Sequence, residues 1–513
     1  MKTINEMSLD EKIRQTAILK IESGTSADEI LQLMPEFSAG GYFIGGEVIK
    51  YDQQNGEVLK DIVDILKKNN DIPPIICADF ESGCGNAIGK LTELPHLMAL
   101  GATDSTEYAY DYGKTIAIQA RTIGINMSFS PVADLNINNK NPIIVNRAIG
   151  DNADRALKLL KSEIKGMQDN GISPCIKHFP GDGIDRRNQH FVTTKNSLPI
   201  EQWEEIYGKI YRELVKNGVD AVMVGHICCP ALQKKRTNGM CLPGTLSQEI
   251  IDYLKYNIGF DGVCISDALA MGGFLGWYKD TSSAQIECFK AGIDMLLWPD
   301  ETYFKDMKKA IETGYISIER LNDAVSRILN LKKKNNAAEM NIPEINSDDA
   351  ISFGENLAEK IASDSVSLIT PNKFTPIKSD DKIVVFYIPG IYDSDTASER
   401  FNTFINALKE RCVNTDVISN DFWLKEVKDT DKYDRIIYIA NELEFKEAPI
   451  WASLCYNTEK SVVVSFKSPY YKEYFERAKH FICTYSASKA SQSAAAAALF
   501  GEIKMNARIP VNI

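Results

Sequence analysis

A closed (β/α)8 barrel followed by a smaller α/β sandwich is the fold class that this chain predicts, and three observations predict it. The first two-thirds alternate short apolar, β-rich runs with amphipathic helical stretches, eight runs in all. Polar residues stand at the carboxyl ends of several different runs; a barrel gathers its functional groups there from many strands, whereas an open doubly wound sheet concentrates them at one crevice. A polar, proline-containing segment then precedes a second, shorter alternation. At 513 residues the chain is too long for one ordinary core. The expected organisation is a barrel over 1–333, a linker over 334–345 and an α/β sandwich over 346–513.

The barrel strands are predicted at 15–21 (QTAILKI), 41–44 (GYFI), 75–79 (IICAD) and 126–130 (NMSFS), then at 174–178 (PCIKH), 220–225 (DAVMVG), 262–266 (GVCIS) and 294–298 (DMLLW). Helical patterns such as EVLKDIVDILKKNN and EEIYGKIYRELVKNG lie between them. Ser8 and Glu11 have the spacing of a capping box that opens the first helix. Gly218 stands where a helix would stop before the sixth run. Beyond the linker, VSLIT, KIVVFYI, RIIYIAN, SVVVSF and HFICTYS read as strands of the sandwich. The alanine run of SQSAAAAALFG suits a helix face packed closely on a sheet.

Composition narrows the function classes. The net charge is −12, so no basic excess exists to neutralise phosphates and a nucleic-acid partner is disfavoured. The first twenty residues carry no signal-peptide pattern, and no run of about 18 apolar residues predicts a membrane span. Eleven cysteines, odd in number and several inside apolar runs, read as reduced thiols of a cytoplasmic protein. Cys228-Cys229 is an adjacent pair rather than a CxxC, and no cluster has zinc spacing, so no metal is expected. GCGNAIG (83–89) departs from the dinucleotide-loop spacing, and no cofactor is expected either.

Four constellations carry the candidate chemistry. IKHFPGDGIDRRNQHF (176–191) runs from Lys177-His178 at a strand end through a glycine-rich loop to His190. Such a loop beyond a buried strand suits a functional role, with an ordinary solvated loop as the bland alternative. GFDGVCISDALAMGGF (259–274) ends an apolar strand in Ser266-Asp267, where Asp267 is either functional or a helix N-cap; Gly272 and Gly273 are expected to loosen the chain beyond them. IICADFESGCGNAIG (75–89) places Asp79 and Glu81 at a third strand end. SPVADLNINNKNPIIVNRAIG (130–150) surrounds Asp134, Asn136 and Arg147 with asparagine-rich turns, polar groups that suit a polyhydroxylated ligand or satisfy one another.

Taken in this order, KHFPGDG with His190 seven residues on, GFDGVCISDALAMGG, SPVADLN with NPIIVNRAIG, and LPGTLSQEII resemble glycoside hydrolase family 3, within it the β-N-acetylhexosaminidase branch. The resemblance covers nearly the whole chain, including the tail FGEIKMNARIPVNI. It implies retaining hydrolysis of a terminal β-linked N-acetylhexosaminide without cofactor or metal. Asp267 matches the nucleophile of the covalent glycosyl-enzyme intermediate, and His190 the acid/base on a mobile loop. Asp79, Arg147, Lys177 and His178 match groups that hold the sugar's hydroxyls. The chemistry is coherent: a histidine with a pKa near neutrality can donate and then accept the proton usually handled by a second carboxyl. Lys177 and Arg147, if close, would keep Asp267 ionised.

Three positions depart from the family pattern. Asn188 stands where an Asp orients the acid/base His, so the ring can be held by hydrogen bonding but its imidazolium gains no charge stabilisation. Asp182 replaces a loop His and is expected as a compensating carboxylate nearby. Ala87 replaces an arginine that contacts the sugar. The alternatives are another family 3 exo-β-glycosidase, β-glucosidase-like with Glu442 or Glu444 as acid/base, or a phosphorylase. From a different class, a catalytically weak sugar-binding protein is the further alternative.

Overall fold

Buried side chains spaced two apart on eight parallel strands roll the first sheet into a barrel. The computed structural model describes residues 2–22, 25–34, 36–45, 57–335, 347–387, 400–418, 427–441 and 459–513. Strands β1 (Ala17–Ile21), β2 (Gly41–Ile44), β3 (Ile75–Ala78), β4 (Met127–Ser128), β5 (Ser173–Phe179), β6 (Ala221–Val224), β7 (Val263–Ser266) and β8 (Leu296–Leu297) pair in parallel in the order β8-β1-β2-β3-β4-β5-β6-β7. Closure comes from a parallel bridge between Ile265 and Met295, with the Ser266 N–H donating to Met295 O at 3.0 Å. All eight predicted runs coincide with these strands. Ile18, Phe43, Ile75, Cys77, Met127, Phe129, Cys175, Ala221, Met223, Val263, Ile265, Met295 and Leu297 form one interior cluster.

Asp294 fastens the closing seam. Its Oδ2 accepts the Cys264 N–H of β7 at 3.0 Å, and its Oδ1 lies 2.9 Å from Lys255 Nζ and 3.1 Å from Arg320 Nη2. Asp294 is fully buried and Lys255 nearly so, which makes each charge dependent on the other. Local signals also hold. The Ser8 hydroxyl accepts the Glu11 N–H at 3.2 Å while the Glu11 carboxylate accepts the Ser8 N–H at 2.7 Å. Gly218, two residues past the helix ending at Lys216, adopts a φ of 81° that a side chain would resist.

The sandwich sheet comprises β9 (Ser367–Leu368), β10 (Ile383–Tyr387), β11 (Thr415–Ile418), β12 (Arg435–Ala440), β13 (Ser461–Ser465) and β14 (His480–Cys483), ordered β9-β14-β13-β12-β10-β11. All pairs are parallel except β9 with β14. β11 escaped the sequence reading because an edge strand with half-exposed residues needs no apolar alternation. Helix Lys489–Leu499 lays Ala494–Ala498 into the core, as its alanine run predicts. The chain divides into two compact units: Met1–Thr92, Ala109–Ile144 and Asn152–Gly354 form one, and Glu93–Tyr108, Val145–Asp151 and Glu355–Ile513 the other. The helix Ile318–Lys334 runs one residue into the expected linker, of which 336–345 lie outside the described residues, as do Glu442 and Glu444.

Two substitutions test this architecture. Asp294→Ala strands Lys255 as an uncompensated buried charge and is expected to cost about 3–5 kcal/mol of unfolding free energy, read by urea denaturation. Glu163, on helix Ala153–Asp169, is fully buried, and neither carboxyl oxygen has a hydrogen-bond partner among the described residues. Burial raises its pKa well above the usual 4.5. The folded state therefore holds that proton more tightly than the unfolded chain. Stability is fullest below the ordinary glutamate value and declines as pH rises above it. Glu163→Gln is expected to raise the melting temperature at neutral pH, with the gain vanishing in acid; a gain independent of pH would contradict this account.

Candidate active site

The inward columns of the barrel carry their alternation one step past the core. Cys77, Cys175 and Ile265 face the interior; the next inward positions on those strands are Asp79, Lys177 and Asp267. A charge two residues beyond the last apolar inward side chain is thereby delivered to the carboxyl-end mouth, where a barrel can bind and react. Lys177 Nζ lies 2.6 Å from both Asp79 Oδ1 and Glu81 Oε1. This ammonium, almost fully buried, ties the end of β3 to β5 across β4. Glu81 belongs to the same motif as Asp79 but was not among the expected site residues.

His178 is fixed by a carboxylate that the sequence reading left without a role. Its backbone N–H reaches the Asp134 oxygens at 3.2 and 3.1 Å, and its ring Nδ1 stands 2.6 Å from Asp134 Oδ2. Asp134 also accepts the Asp182 N–H at 2.7 Å. A wholly buried carboxylate with three donors around it holds both the strand end and the imidazole in one orientation. Asp182, the expected compensating carboxylate, accepts from Asn141 Nδ2 at 3.0 Å and from the Gly183 N–H at 2.6 Å. Burial first, and then the neighbouring Asp134 charge, push its carboxyl up to about 6. The loop turns tightly here because Gly183, at φ 98°, lies so close to Leu135 that a Cβ would sit 1.8 Å from its carbonyl oxygen.

His190 lies exposed on the far side of the same loop. Its backbone N–H and its ring Nδ1 both meet Asn188 Oδ1, at 2.9 and 2.8 Å. The backbone amide can only donate, so this Asn188 atom is the carbonyl oxygen. Nδ1 therefore carries its proton, and Nε2 is the nitrogen able to gain or lose one. Gln189 anchors the loop: it is buried, its Oε1 accepts the His226 N–H at 3.1 Å, and its carbonyl accepts the Gly273 N–H at 3.1 Å. The absent side chain of Gly225 leaves room in which Gln189 Oε1 and the His178 Cβ meet, each about 3 Å from where a Cβ would stand.

Asp267, the residue after β7, has one oxygen held and one without a partner among the described residues. Its Oδ1 accepts the Ala268 N–H at 2.8 Å, and its Oδ2 has no hydrogen-bond partner among the described residues. Burial pushes its pKa up, but the His178 and His226 imidazoles, the Ala268 N–H and the Lys177 ammonium outweigh that, and the net shift is downward. His226 is fully buried; its Nε2 faces Ala268 O at 3.0 Å and its Nδ1 the Thr245 hydroxyl at 2.8 Å. Burial lowers its pKa, with the Asp267 charge opposing. It braces the peptide that holds Asp267.

Gly272 and Gly273 correct an expectation. They do not loosen the chain; they let two loops touch. A Cβ on Gly272 would lie 2.3 Å from Phe191 O, and one on Gly273 2.6 Å from Gln189 O. In that space the Gly272 N–H donates to His190 O at 2.7 Å. The loop after Asp267 is thus bonded, backbone to backbone, to the loop that carries His190. Arg147 closes the short 3-10 turn Val145–Arg147 in the second compact unit. Ala87 is buried. Glu81, Asp134, Gln189 and His226 are positions that sequence reasoning did not assign; for Asp134 the signal was its place just past a barrel strand, while nothing local marks Gln189.

Known proteins fit this arrangement. The chain is 28% identical to the beta-N-acetylglucosaminidase/beta-glucosidase of Cellulomonas fimi, over 99% of this chain and 94% of that protein. It is 24% identical to beta-hexosaminidase A of Pseudoalteromonas piscicida, over 80% and 74% respectively. A family 3 beta-N-acetylglucosaminidase from Paenibacillus sp. str. FPU-7 superposes with a TM-score of 0.89 at 24% identity, covering 99% of each chain. A beta-glucoside phosphorylase superposes with a TM-score of 0.86 at 23% identity, covering 99% of this chain and 95% of that one. Residues 8–331 match the glycosyl hydrolase family 3 N-terminal domain. With its barrel and the charged mouth above it, this chain belongs to glycosyl hydrolase family 3.

Proposed function

We propose that this glycoside hydrolase is a retaining exo-β-N-acetylhexosaminidase that releases terminal β-linked N-acetylglucosamine. The observation that carries the reading is Asp267, buried with its pKa shifted downward, its Oδ2 without a partner among the described residues and its own loop bonded to the one bearing His190. In the first step Oδ2 attacks the anomeric carbon while His190 Nε2 gives its proton to the departing oxygen. In the second, Nε2 takes a proton from water as the glycosyl–Asp267 ester is cleaved. Asp79, Lys177 and His178 hold the hydroxyls of the nonreducing-end sugar, and Asn188 holds the acid/base ring; the assignment of Arg147 rests on the family resemblance alone. The N-acetyl preference follows the names of the Cellulomonas and Pseudoalteromonas relatives.

We read 1–333 as the catalytic barrel, 334–345 as a linker and 346–513 as the sandwich domain. No described helix is long and apolar enough to cross a membrane, and ten described cysteines are free, which supports a cytoplasmic setting. Asn188 favours a second reading. With a neutral amide at 188 in place of a carboxylate, one anion fewer stands beside the acid/base ring to repel phosphate, so the ester could be cleaved by phosphate instead of water. Sugar 1-phosphate formed from an aryl glycoside in phosphate buffer, and absent without phosphate, would establish phosphorolysis.

Aryl substrates, a labelling reagent and three substitutions test the mechanism. Aryl β-N-acetylglucosaminide and β-glucoside should both be assayed; turnover of neither removes the hydrolase reading, and labelling of Asp267 by a fluorinated sugar ester confirms the nucleophile. His190→Ala is expected to lower kcat/KM by about 10²–10⁴ on substrates with poor leaving groups. With dinitrophenyl glycosides, which leave without protonation, the loss should be far smaller. Asn188→Asp should raise turnover, because a carboxylate stabilises the imidazolium. Lys177→Met removes one of the positive groups that keep Asp267 acidic, so the acid limb of the kcat/KM profile should move to higher pH. A limb left in place would show that Lys177 does not act on the nucleophile.

A further inference from the structure

The stretch after His190 has little burial to hold it. Phe191 is 76% exposed and Val192 42%, so the two apolar side chains that follow the acid/base histidine do little to fix it by packing. Hydrogen bonds hold this stretch instead. The Gly272 N–H donates to His190 O at 2.7 Å, and the Gly273 N–H to Gln189 O at 3.1 Å. The Gly273 carbonyl in turn accepts the Thr193 hydroxyl at 2.6 Å. Both polar backbone groups of Gly273 therefore go to the loop that carries His190, one to the residue before the histidine and one to a residue beyond it.

The Thr193 hydroxyl has a second partner, Trp277, whose indole Nε1 stands 2.7 Å from it. An indole N–H only donates and a backbone carbonyl only accepts, so the hydroxyl accepts from Trp277 and donates to Gly273. Each bond polarises the hydroxyl for the other, which strengthens both. Gly273 and Trp277 belong to the same loop after Asp267, so the bonds close a ring that runs along that loop, across to Thr193 and back. The end of the loop nearer the nucleophile is fixed as well. The Met271 N–H donates to Ala268 O at 3.1 Å, the Phe274 N–H to Met271 O at 3.0 Å and the Leu269 N–H to Leu297 O at 3.1 Å. Short bonded turns thus connect Asp267 to this clasp.

We propose that Thr193 is a positioning residue for His190: through its paired bonds to Trp277 and Gly273 it keeps the acid/base loop docked on the loop that follows the nucleophile. The inference rests on the reading of His190 as acid/base and Asp267 as nucleophile. A proton reaches the departing oxygen only over hydrogen-bond distance. A loop free to shift along its glycine seam would lose general-acid catalysis while the nucleophile stayed intact. The two supports are separate: Asn188 fixes the tautomer of the ring, and Thr193 fixes where the backbone beneath the ring stands.

The test is Thr193→Val, which puts a methyl group in place of the hydroxyl. Its kcat/KM should fall about tenfold on an aryl glycoside with a poor leaving group, the size of a lost hydrogen bond, and much less on the dinitrophenyl glycoside. Thr193→Ser, which keeps the hydroxyl, should recover most of the loss. Trp277→Phe should give the same selective loss from the other side of the clasp, and the double variant should be no worse than the more severe single one, because the two groups act as a unit. Equal losses on both substrates in Thr193→Val, or no loss on either, overturn the proposal. Should Thr193→Val fail to fold, Trp277→Phe decides on the same comparison. His190→Ala on the same two substrates separates this question from the mechanism: without leaving-group selectivity in that variant the acid/base reading itself falls.

Discussion

The two-residue period of parallel strands in a closed barrel is the constraint on which the rest of this structure depends. Closure gives each strand an inside, and the pleat sends every second side chain there. While those residues are apolar they build a core. Where the column continues into Asp79, Lys177 and Asp267, the same geometry sets charges around one mouth. Helices outside the barrel contribute indirectly, through anchors such as the Asp294 junction with Lys255 and Arg320. That junction secures the seam between β7 and β8, and β7 is the strand that leads directly into Asp267.

Burying a carboxylate nucleophile is costly, and its surroundings show how the cost is offset. Asp267 lies among the imidazoles of His178 and His226, the Lys177 ammonium and a backbone N–H. Each of these is itself fixed by a partner: His178 by Asp134, His226 by Thr245 and Ala268, Lys177 by Asp79 and Glu81. Preorganised charge of this kind keeps the carboxyl ionised without engaging the oxygen that must react. The proton carrier has a lighter attachment. His190 is exposed; its ring Nδ1 meets the neutral Asn188 amide, and its backbone carbonyl accepts the Gly272 N–H.

Glycine has a specific part in this use of space. Gly272 and Gly273 allow the loops after β5 and β7 to approach at backbone distance, and Gly225 admits Gln189 beside His178. Read in sequence, a glycine pair after a strand suggests looseness. In three dimensions the missing side chains are what make a rigid junction between the nucleophile loop and the acid/base loop.

Much of this protein was legible in the order of its residues. Eight apolar runs with helical patterns between them specify a barrel because strand and helix periodicities are local properties. Residues at strand ends, Asp79, Lys177, His178 and Asp267, could be singled out because the barrel fold tells which end of a strand matters. The edge strand Thr415–Ile418 was not legible, since half-exposed residues leave no pattern. Nor were the roles of Asp134 and Gln189. Asp134 acts on a histidine 44 positions away, and Gln189 works through bonds to two other loops. Local periodicity determines which elements form and which face each side chain takes; pairing across long separations, and departures from regular backbone, are settled only when distant segments meet, because only then do their hydrogen bonds and packing acquire partners.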